Sequence, residues 1–179
     1  VRVRAVSLNQ PDLLVLRGQY GAGGGGDMNG HVPLSDGAGE VIAVGPDVNR
    51  LKVGDRVAGT FFTQWTDGKR TAQVAASARG GGGVDGMLSE VIVAHQDTLV
   101  RVPDHLSFEE AATLPCAGVT AYRALFVEGG LKAGDFVLLE GTGGVSSFGL
   151  QFAAAAGARP IIPSSSDDKL AQARKLGAF

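Results

Sequence analysis

A short glycine-rich stretch in the C-terminal part of the sequence has residue types that favour binding of a diphosphate group. It consists of Gly141, Thr142, Gly143, Gly144, Val145 and Ser146. A diphosphate is bound by backbone N–H groups at the positive end of a helix, and side chains at that turn would obstruct its approach. A predicted strand precedes these residues and a predicted helix follows them, which is the setting that the dinucleotide-binding fingerprint requires. The stretch therefore predicts a dinucleotide site.

Ser146 stands where the fingerprint has its third glycine. That glycine normally lets the helix pack closely on the strand, and we expect the small serine to serve with a slightly wider gap. Glycine-rich turns between a strand and a helix also occur for backbone geometry alone. The alternative is therefore a turn that binds no ligand.

The residues after the second strand indicate which dinucleotide is bound, because NAD sites place an acidic residue there to accept hydrogen bonds from the ribose hydroxyls. This sequence has Ser164, Ser165 and Ser166 instead, followed by Lys169. Serine hydroxyls can donate to a 2′-phosphate and lysine supplies a compact positive charge, so NADP(H) is predicted over NAD(H). In the alternative interpretation the serines form a loop and a helix cap, and Lys169 is a solvated helix residue. The two aspartates before Lys169 would oppose a phosphate if they faced it.

Strands and helices alternate in the second part of the chain. Ser107 and Glu110 have the spacing of a capping box, which predicts a helix through residues 111–114, and the composition changes near residue 105. Further elements are predicted as helices over 119–126, 147–156 and 167–176 and as strands over 136–140 and 159–162. A strand, helix, strand, helix order predicts two parallel strands joined by a right-handed crossover.

The first part of the chain, to about residue 102, has short β-branched runs separated by glycine and aspartate, which is typical of a small all-β barrel or sandwich. We predict strands over residues 1–8 and 40–44, and a turn over 52–55 that enters a further strand. Two glycine-rich stretches, 21–29 and 66–86, are predicted to be loops.

Composition excludes several classes of partner. The 16 basic and 18 acidic residues give a net charge of −2 without a block of one sign, which argues against nucleic acid and anionic membrane as partners. No apolar run approaches the roughly 20 residues of a membrane-spanning helix. The only cysteine, Cys116, permits no internal disulfide and fits a reducing cytoplasm, which is the predicted location. A small-molecule substrate is the expected partner.

Five motifs together resemble the medium-chain dehydrogenase/reductase superfamily, in particular its zinc-free members that are similar to quinone reductases. Besides the glycine turn, they are Ser7-Leu8-Asn9, Asp36-Gly37-Ala38-Gly39-Glu40-Val41 with Val44-Gly45, Lys52-Val53-Gly54-Asp55-Arg56-Val57, and Leu114-Pro115-Cys116-Ala117-Gly118-Val119-Thr120-Ala121-Tyr122. Each motif is modest, but five in the right order are specific, and they cover nearly the whole chain.

The resemblance implies an α/β plus β architecture. Residues 1–105 would form a GroES-like β-barrel catalytic domain without its first strands, and residues 106–179 the first part of a Rossmann doubly wound parallel sheet, with the active site in the cleft between them. Family members extend beyond both ends of this sequence, so we expect it to be part of a longer protein, inactive as a fragment and a homodimer when full length.

The zinc-dependent relatives hold a catalytic metal with a cysteine near the first motif, a histidine of a Gly-His-Glu sequence, and a later cysteine or histidine. This sequence has Asp12, Ser35-Asp36-Gly37 and Cys116 at the three places. A catalytic zinc site needs three protein ligands, so no zinc is predicted. The four-cysteine zinc lobe of those relatives has no counterpart here. The three histidines, His31, His95 and His105, are predicted to be loop or surface residues.

The resemblance also assigns catalytic and cofactor-contacting residues. Asn9 matches an asparagine near the nicotinamide in quinone-reductase-like enzymes, and Tyr20 corresponds to a tyrosine that lines the same cleft. Thr120 is expected near the nicotinamide ribose or amide, and Tyr122 is expected in the core. Asp12 is assigned either to orienting a substrate or to capping a helix. The alternative roles of Asn9 and Tyr20 are a turn asparagine at a strand end and a partly buried loop tyrosine.

Three functions remain open from the sequence. Without a Lewis acid, a quinone or an α,β-unsaturated carbonyl accepts hydride more readily than a simple ketone, so hydride transfer from NAD(P)H to such an acceptor is the leading hypothesis. A zinc-free alcohol dehydrogenase acting on an alcohol and carbonyl pair is the second. The third is a dinucleotide-binding protein without catalytic activity.

Overall fold

Residues 1–19, 30–81 and 83–179 are described by a computed structural model of the chain. The chain divides into two units, Val1–Cys116 and Ala117–Phe179. The first unit is built on an antiparallel sheet and the second on parallel strands. No helix among the described residues is long and apolar enough to cross a membrane.

In the part of the chain that the structure describes, the sheet of the first unit has four strands, which are β1 (Arg2–Ser7), β2 (Asp36–Glu40), β3 (Arg56–Gly59) and β4 (Leu99–Arg101). They lie in sequence order and each pair is antiparallel. The predicted strands at the start of the chain and after the 52–55 turn are confirmed. Within the described residues the sheet is open and does not close into a barrel.

The strand predicted over residues 40–44 is wrong by several residues, since β2 occupies Asp36–Glu40. A Cβ atom on Gly39 would lie 2.1 Å from the carbonyl oxygen of Arg2, and one on Gly37 would lie 2.8 Å from Cβ of Met87. The neighbouring backbone and side chain therefore approach β2 too closely for larger residues. The sequence pattern predicts that these glycines form a turn, but in the structure they allow close packing within a sheet.

Three α-helices of the first unit lie among the described residues: α1 (Gln10–Leu16), α2 (Ala72–Ala76) and α3 (Phe108–Ala112). α2 lies inside the stretch 66–86 that is predicted to be a loop, and it forms because Thr71 caps it by accepting a hydrogen bond from the amide of Val74 (3.2 Å). The other predicted loop, 21–29, lies outside the described residues.

The capping box that the sequence predicts for α3 is confirmed. Oγ of Ser107 accepts from the amide of Glu110 (3.1 Å), and the Glu110 carboxylate accepts from the amide of Ser107 (2.8 Å). α3 packs against β1 and β2, where Ala38, Val102 and two alanines of the helix form a buried cluster. A π-helix, Leu114–Gly118, follows α3.

The second unit contains α4 (Val119–Tyr122), β5 (Phe136–Leu138), α5 (Gly144–Ala155), β6 (Arg159–Ile161) and α6 (Asp167–Lys175). β5 and β6 are parallel, with Val137 opposite Pro160, so the predicted order of strand, helix, strand and helix is confirmed. Buried Leu125, Ala153 and Ala158 form one core cluster of this unit.

The helix predicted over 119–126 changes its winding along its length. α4 ends at Tyr122 and the chain continues as a π-helix, Arg123–Glu128. The expectation that Tyr122 belongs to the core is wrong, because its side chain is 55% exposed. Its ring lies on the helix surface against Phe126, with 4.9 Å between the ring centroids.

Candidate functional site

The glycine turn after β5 has the backbone geometry of a ligand-binding turn. Gly141 has φ +74°, a left-handed conformation that glycine adopts without strain. Gly143 is the N-cap residue of α5 and provides no side chain to cap the helix. A Cβ atom added at Gly141 or Gly143 would meet no other heavy atom within 4 Å. The space in front of the turn is therefore open.

The start of α5 presents backbone donors to that space. The first hydrogen bond of the helix runs from the amide of Ser147 to the carbonyl of Gly143 (2.8 Å), so the amides of Gly144, Val145 and Ser146 precede the intrahelical ladder. They lie at the positive end of a helix of 12 residues. Because a diphosphate takes such N–H groups, these residues fit the diphosphate of a dinucleotide.

Ser146 contacts the end of the strand segment directly. Its hydroxyl donates to the carbonyl of Glu140 (2.9 Å) and ties the helix start to the end of the strand segment. One turn later, Gly149 is buried, and a Cβ atom there would lie 3.0 Å from Cδ2 of Leu139. Gly149 therefore also permits close packing of α5 on this segment. The spacing of three residues, which places both on one helix face, was the signal in the sequence.

Three further residues complete the surroundings of the turn. Thr142 is half-buried within the turn itself. Thr120 is exposed on α4, a helix that packs against α5. A Cβ atom on Gly144 would lie 3.7 Å from Cβ of Ala117, which is ordinary van der Waals contact. The structure thus places Thr120 on a neighbouring helix, and its role toward a cofactor stays a prediction.

The serines after β6 take part in local hydrogen bonds. Oγ of Ser166 caps α6 by accepting from the amide of Lys169 (3.4 Å), and Oγ of Ser164 accepts from the amide of Ser166 (3.3 Å). Ser165 and Lys169 are exposed. Both bonded hydroxyls act as acceptors, so their own O–H groups remain donors. The loop therefore has the predicted cap, together with donors that a ribose phosphate would need.

A second group of polar residues surrounds Asp36, at the start of β2 in the first unit. The Asp36 side chain is fully buried and its carboxylate accepts three hydrogen bonds. Nδ2 of Asn9 (3.0 Å) and the amide of Cys116 (3.1 Å) donate to Oδ2, and Oγ of Ser35 (3.1 Å) donates to Oδ1. The cluster therefore joins β2 to the residue before α1 and to the π-helix after α3.

Asp12 takes the capping role that the sequence leaves open for it. Its buried carboxylate accepts from the amide of Asn9 (2.7 Å), which is the N-cap residue of α1. Asn9 thus has its backbone bonded to one carboxylate and its side chain to another. Tyr20, the other predicted catalytic residue, lies outside the described residues.

The buried carboxylate of Asp36 and the half-buried thiol of Cys116 both have raised pKa values. Burial raises the pKa of Asp36 to about 6; the bonds from Asn9, Cys116 and Ser35 oppose this increase, and the charge of Asp12 adds to it. Burial also raises the pKa of the Cys116 thiol to about 11, with the negative charges of Asp36 and Asp12 as further causes. Cys116 is therefore a neutral thiol near pH 7.

The backbone before Asp36 is held in an unusual conformation. Leu34 has φ +71°, in the left-handed region that favours glycine. A Cβ atom on Gly80 would lie 2.8 Å from the carbonyl carbon of Leu34, and one on Gly86 would lie 2.1 Å from the carbonyl oxygen of Pro33. The amide of Met87 donates to the Leu34 carbonyl (2.8 Å). This close packing maintains the strained residue and fixes where Asp36 enters the sheet.

The residues at the positions of the zinc ligands do not fit a zinc ion. Asp36 and Asp12 use their carboxylates as hydrogen-bond acceptors, and the amide of Cys116 is one of the donors to Asp36. Among the described residues, no group of three His, Cys, Asp or Glu side chains is placed to hold a metal ion. His31 pairs with Asp85 (3.4 Å), and His95 caps a short 3-10 helix.

Comparison with known proteins identifies the family. Residues 1–104 match the family model of the alcohol dehydrogenase GroES-like domain. The chain therefore belongs to this family, within the medium-chain dehydrogenase/reductase superfamily, as its motifs predict. A zinc-type alcohol dehydrogenase-like protein of Schizosaccharomyces pombe is 48% identical over 180 residues, which cover 99% of this chain and 51% of that protein.

Solved structures agree with the family. A crystal structure of an alcohol dehydrogenase from Sinorhizobium meliloti is similar with a TM-score of 0.87 and 46% identity, over 99% of this chain and 52% of that one. A quinone oxidoreductase from Pseudomonas syringae has a TM-score of 0.73 and 35% identity, over 99% and 47% of the two chains. The chain thus spans about half the length of these relatives.

Proposed function

We propose that the full-length protein is an NAD(P)H-dependent, zinc-independent oxidoreductase that transfers hydride to a quinone or an α,β-unsaturated carbonyl. The observation that carries the proposal is the open turn at Gly141 to Gly143, where α5 begins with amides that precede its hydrogen-bond ladder. Membership of an oxidoreductase superfamily supports it. The similarity to a quinone oxidoreductase supports the class of acceptor.

The residues of the turn would bind the diphosphate of the cofactor. The amides of Gly144, Val145 and Ser146 supply the donors, and the bond from Ser146 to Glu140 keeps the helix start in place. Gly143 leaves room for close approach because it has no side chain. When bound, the reduced nicotinamide supplies the hydride. Asn9 and Thr120 are the proposed contacts of its nicotinamide end, together with Tyr20.

We favour NADP(H) over NAD(H) because no carboxylate directly follows β6. Ser164, Ser165 and Ser166 occupy that place, and exposed Lys169 lies in the first turn of α6. Three serine hydroxyls and one cation suit a 2′-phosphate better than a ribose diol. Fluorescence titration of both reduced cofactors tests this preference, and NADH binding at least as tightly as NADPH would remove it.

Zinc independence is supported by the chemistry of the donor set. One half-buried thiol and two carboxylates already engaged in hydrogen bonds make a poor site for a metal that needs three ligands. An acceptor whose own conjugation stabilises the added electrons then suits this protein better than a simple ketone. Metal analysis of the purified protein should find less than stoichiometric zinc.

An alcohol dehydrogenase that acts on an alcohol and carbonyl pair is the second candidate function. The similarity to the Sinorhizobium meliloti alcohol dehydrogenase favours it, at 46% identity. A steady-state screen of quinones, enones, aldehydes and alcohols with both cofactors separates the two candidates. NADPH oxidation by quinones or enones alone supports the first, whereas turnover of alcohols and aldehydes supports the second. Cofactor binding without turnover of any of these compounds would contradict both.

We further propose that the full-length protein is a cytoplasmic homodimer. The single free cysteine suits a reducing compartment, and the near balance of charges suits self-association better than binding to a polyanion. Sedimentation velocity measures the oligomeric state, and cell fractionation measures the location.

A further inference from the structure

The orientation of the Asn9 carboxamide follows from its partner. An ionised carboxylate only accepts hydrogen bonds, and Oδ2 of Asp36 receives both Nδ2 of Asn9 (3.0 Å) and the amide of Cys116 (3.1 Å). The reversed carboxamide would place its carbonyl oxygen against another acceptor. Asn9 therefore presents its Oδ1 atom, an acceptor, at the end that faces away from Asp36.

Asp36 is itself held by parts of the chain that do not include α1. Ser35 donates to its other oxygen, and the strained Leu34 is fixed by the close approach of Gly80 and Gly86. The side chain is fully buried within the unit. Asn9 is thus tied, across 27 residues of sequence, to a carboxylate that has little freedom to move.

We propose that Asp36 is a positioning residue, which holds the Asn9 carboxamide so that the carbonyl oxygen is the end available to a ligand. A site with this polarity selects a hydrogen-bond donor, such as the carboxamide N–H of a nicotinamide or a hydroxyl of a reduced product. The inference rests on the proposed function, in which Asn9 contacts cofactor or substrate. It adds a determinant that lies outside the predicted catalytic residues.

Two substitutions separate the hydrogen bond from the charge. In Asp36→Asn, the new carbonyl oxygen can accept from Asn9 and Cys116 while the new amide group faces Oγ of Ser35, so the orientation of Asn9 is kept. Asp36→Leu has the same branched arrangement of side-chain heavy atoms but accepts nothing, which frees Asn9 to rotate. Asp36→Ser, which is too short to reach Asn9, replaces the leucine variant if that variant does not fold.

Steady-state kinetics of the full-length protein is the first test. We expect Asp36→Asn to keep most of the turnover and Asp36→Leu to lower kcat about tenfold to hundredfold, the usual cost of a misplaced contact group. In an Asn9→Ala background, the leucine substitution should lower kcat no further, because it acts through Asn9. Ser77→Ala is the matched control, since it removes a buried hydroxyl with two hydrogen bonds elsewhere in the unit.

Two kinetic results would overturn the inference. One is a further loss of kcat when Asp36→Leu is added to Asn9→Ala, which would indicate a general structural role. The other is an Asp36→Asn variant as slow as Asp36→Leu, which would indicate that the charge rather than the orientation matters. A wild-type protein that oxidises neither cofactor with any acceptor would contradict the proposed function instead.

A spectroscopic test is independent of turnover. The side-chain amide protons of Asn9, identified by their loss in Asn9→Ala, should include one proton shifted downfield by its bond to Asp36 in the ¹H–¹⁵N spectrum. That shift should persist in Asp36→Asn and disappear in Asp36→Leu. Asn9 signals that are the same in the wild type and in Asp36→Leu would overturn the inference even if the enzyme is active.

Discussion

Gly149 on α5 lies against Leu139, so closely that a Cβ atom on the glycine would stand 3.0 Å from Cδ2 of the leucine. This approach allows the helix to lie near the strand segment that leads into the glycine turn. The contact between Gly149 and Leu139 joins the helix that follows the turn to the strand segment that precedes it. The packing of the second unit therefore fixes the position of the proposed diphosphate site.

Substitution at Gly149 should therefore depend on side-chain size. Gly149→Ala gains helix propensity of about 0.5–1 kcal/mol, which offsets a small movement of Leu139, so its stability should stay close to that of the wild type. Gly149→Val should lower the free energy of unfolding by roughly 1–3 kcal/mol through overpacking. Urea denaturation measures both. Gln151→Val, at an exposed position of the same helix, controls for the propensity of valine, and an equal loss there would contradict the prediction.

Gly39 should tolerate no side chain at all. In Gly39→Ala the new Cβ atom would lie 2.1 Å from the carbonyl oxygen of Arg2, and this backbone atom cannot move without separating β1 from β2. We expect a loss of more than about 3 kcal/mol, or failure to fold. Gly45→Ala is the control, since its Cβ atom would meet nothing within 4 Å. Thermal unfolding that is alike in the two variants would show that β2 is placed differently.

Gly143 offers a test of the ligand site that leaves the fold intact. A valine there meets no protein atom at its Cβ position and tolerates the extended backbone of the N-cap residue, so the melting temperature should change little. The side chain would occupy the space in front of the α5 amides and weaken cofactor binding at least about tenfold, or 1.4 kcal/mol. Calorimetric titration with NADPH measures this, with Gly45→Val as control. Undiminished affinity would place the cofactor elsewhere.

The raised pKa of Asp36 predicts a specific dependence of stability on pH. The pKa is about 6 in the folded protein against an ordinary value of 3.8 for an aspartate carboxyl, so folding favours the protonated carboxyl. Its stabilising contribution is complete below about pH 3.8 and is lost as the pH rises through about 6. At about 1.4 kcal/mol per pKa unit, the loss is on the order of 3 kcal/mol.

Comparison with Asp36→Asn isolates that contribution. The charged or titratable neighbours are Asp12 and the thiol of Cys116, and both are present in the variant. Urea denaturation at intervals between pH 4 and 7 should therefore show the wild type losing stability relative to Asp36→Asn as the pH increases. A constant difference between the two proteins over this range would contradict the raised pKa.

Local patterns were enough to predict most of the second unit. The apolar run at residues 136–140 and the helix that ends before Gly157 follow from hydrophobicity and turn residues that lie next to each other in the chain. The capping box at Ser107 and Glu110 is equally local, and it was confirmed. The glycine turn could be recognised because the dinucleotide-binding fingerprint has a strand before it and a helix after it.

Contacts between residues that are far apart in the sequence determine the features that local patterns could not predict. The glycines of Asp36–Glu40 predict a turn, but the segment is a strand. Met87 and β1 approach it so closely that only glycine fits at positions 37 and 39. Gly149 gains its role from Leu139, and Asp36 gains its buried partners from Asn9 and from Cys116, which is 80 residues away. The order of the strands and helices follows from patterns between residues that are close in the sequence. Close approach and hydrogen bonding across the fold depend on which backbone segments become neighbours, so they are determined only when the chain has folded.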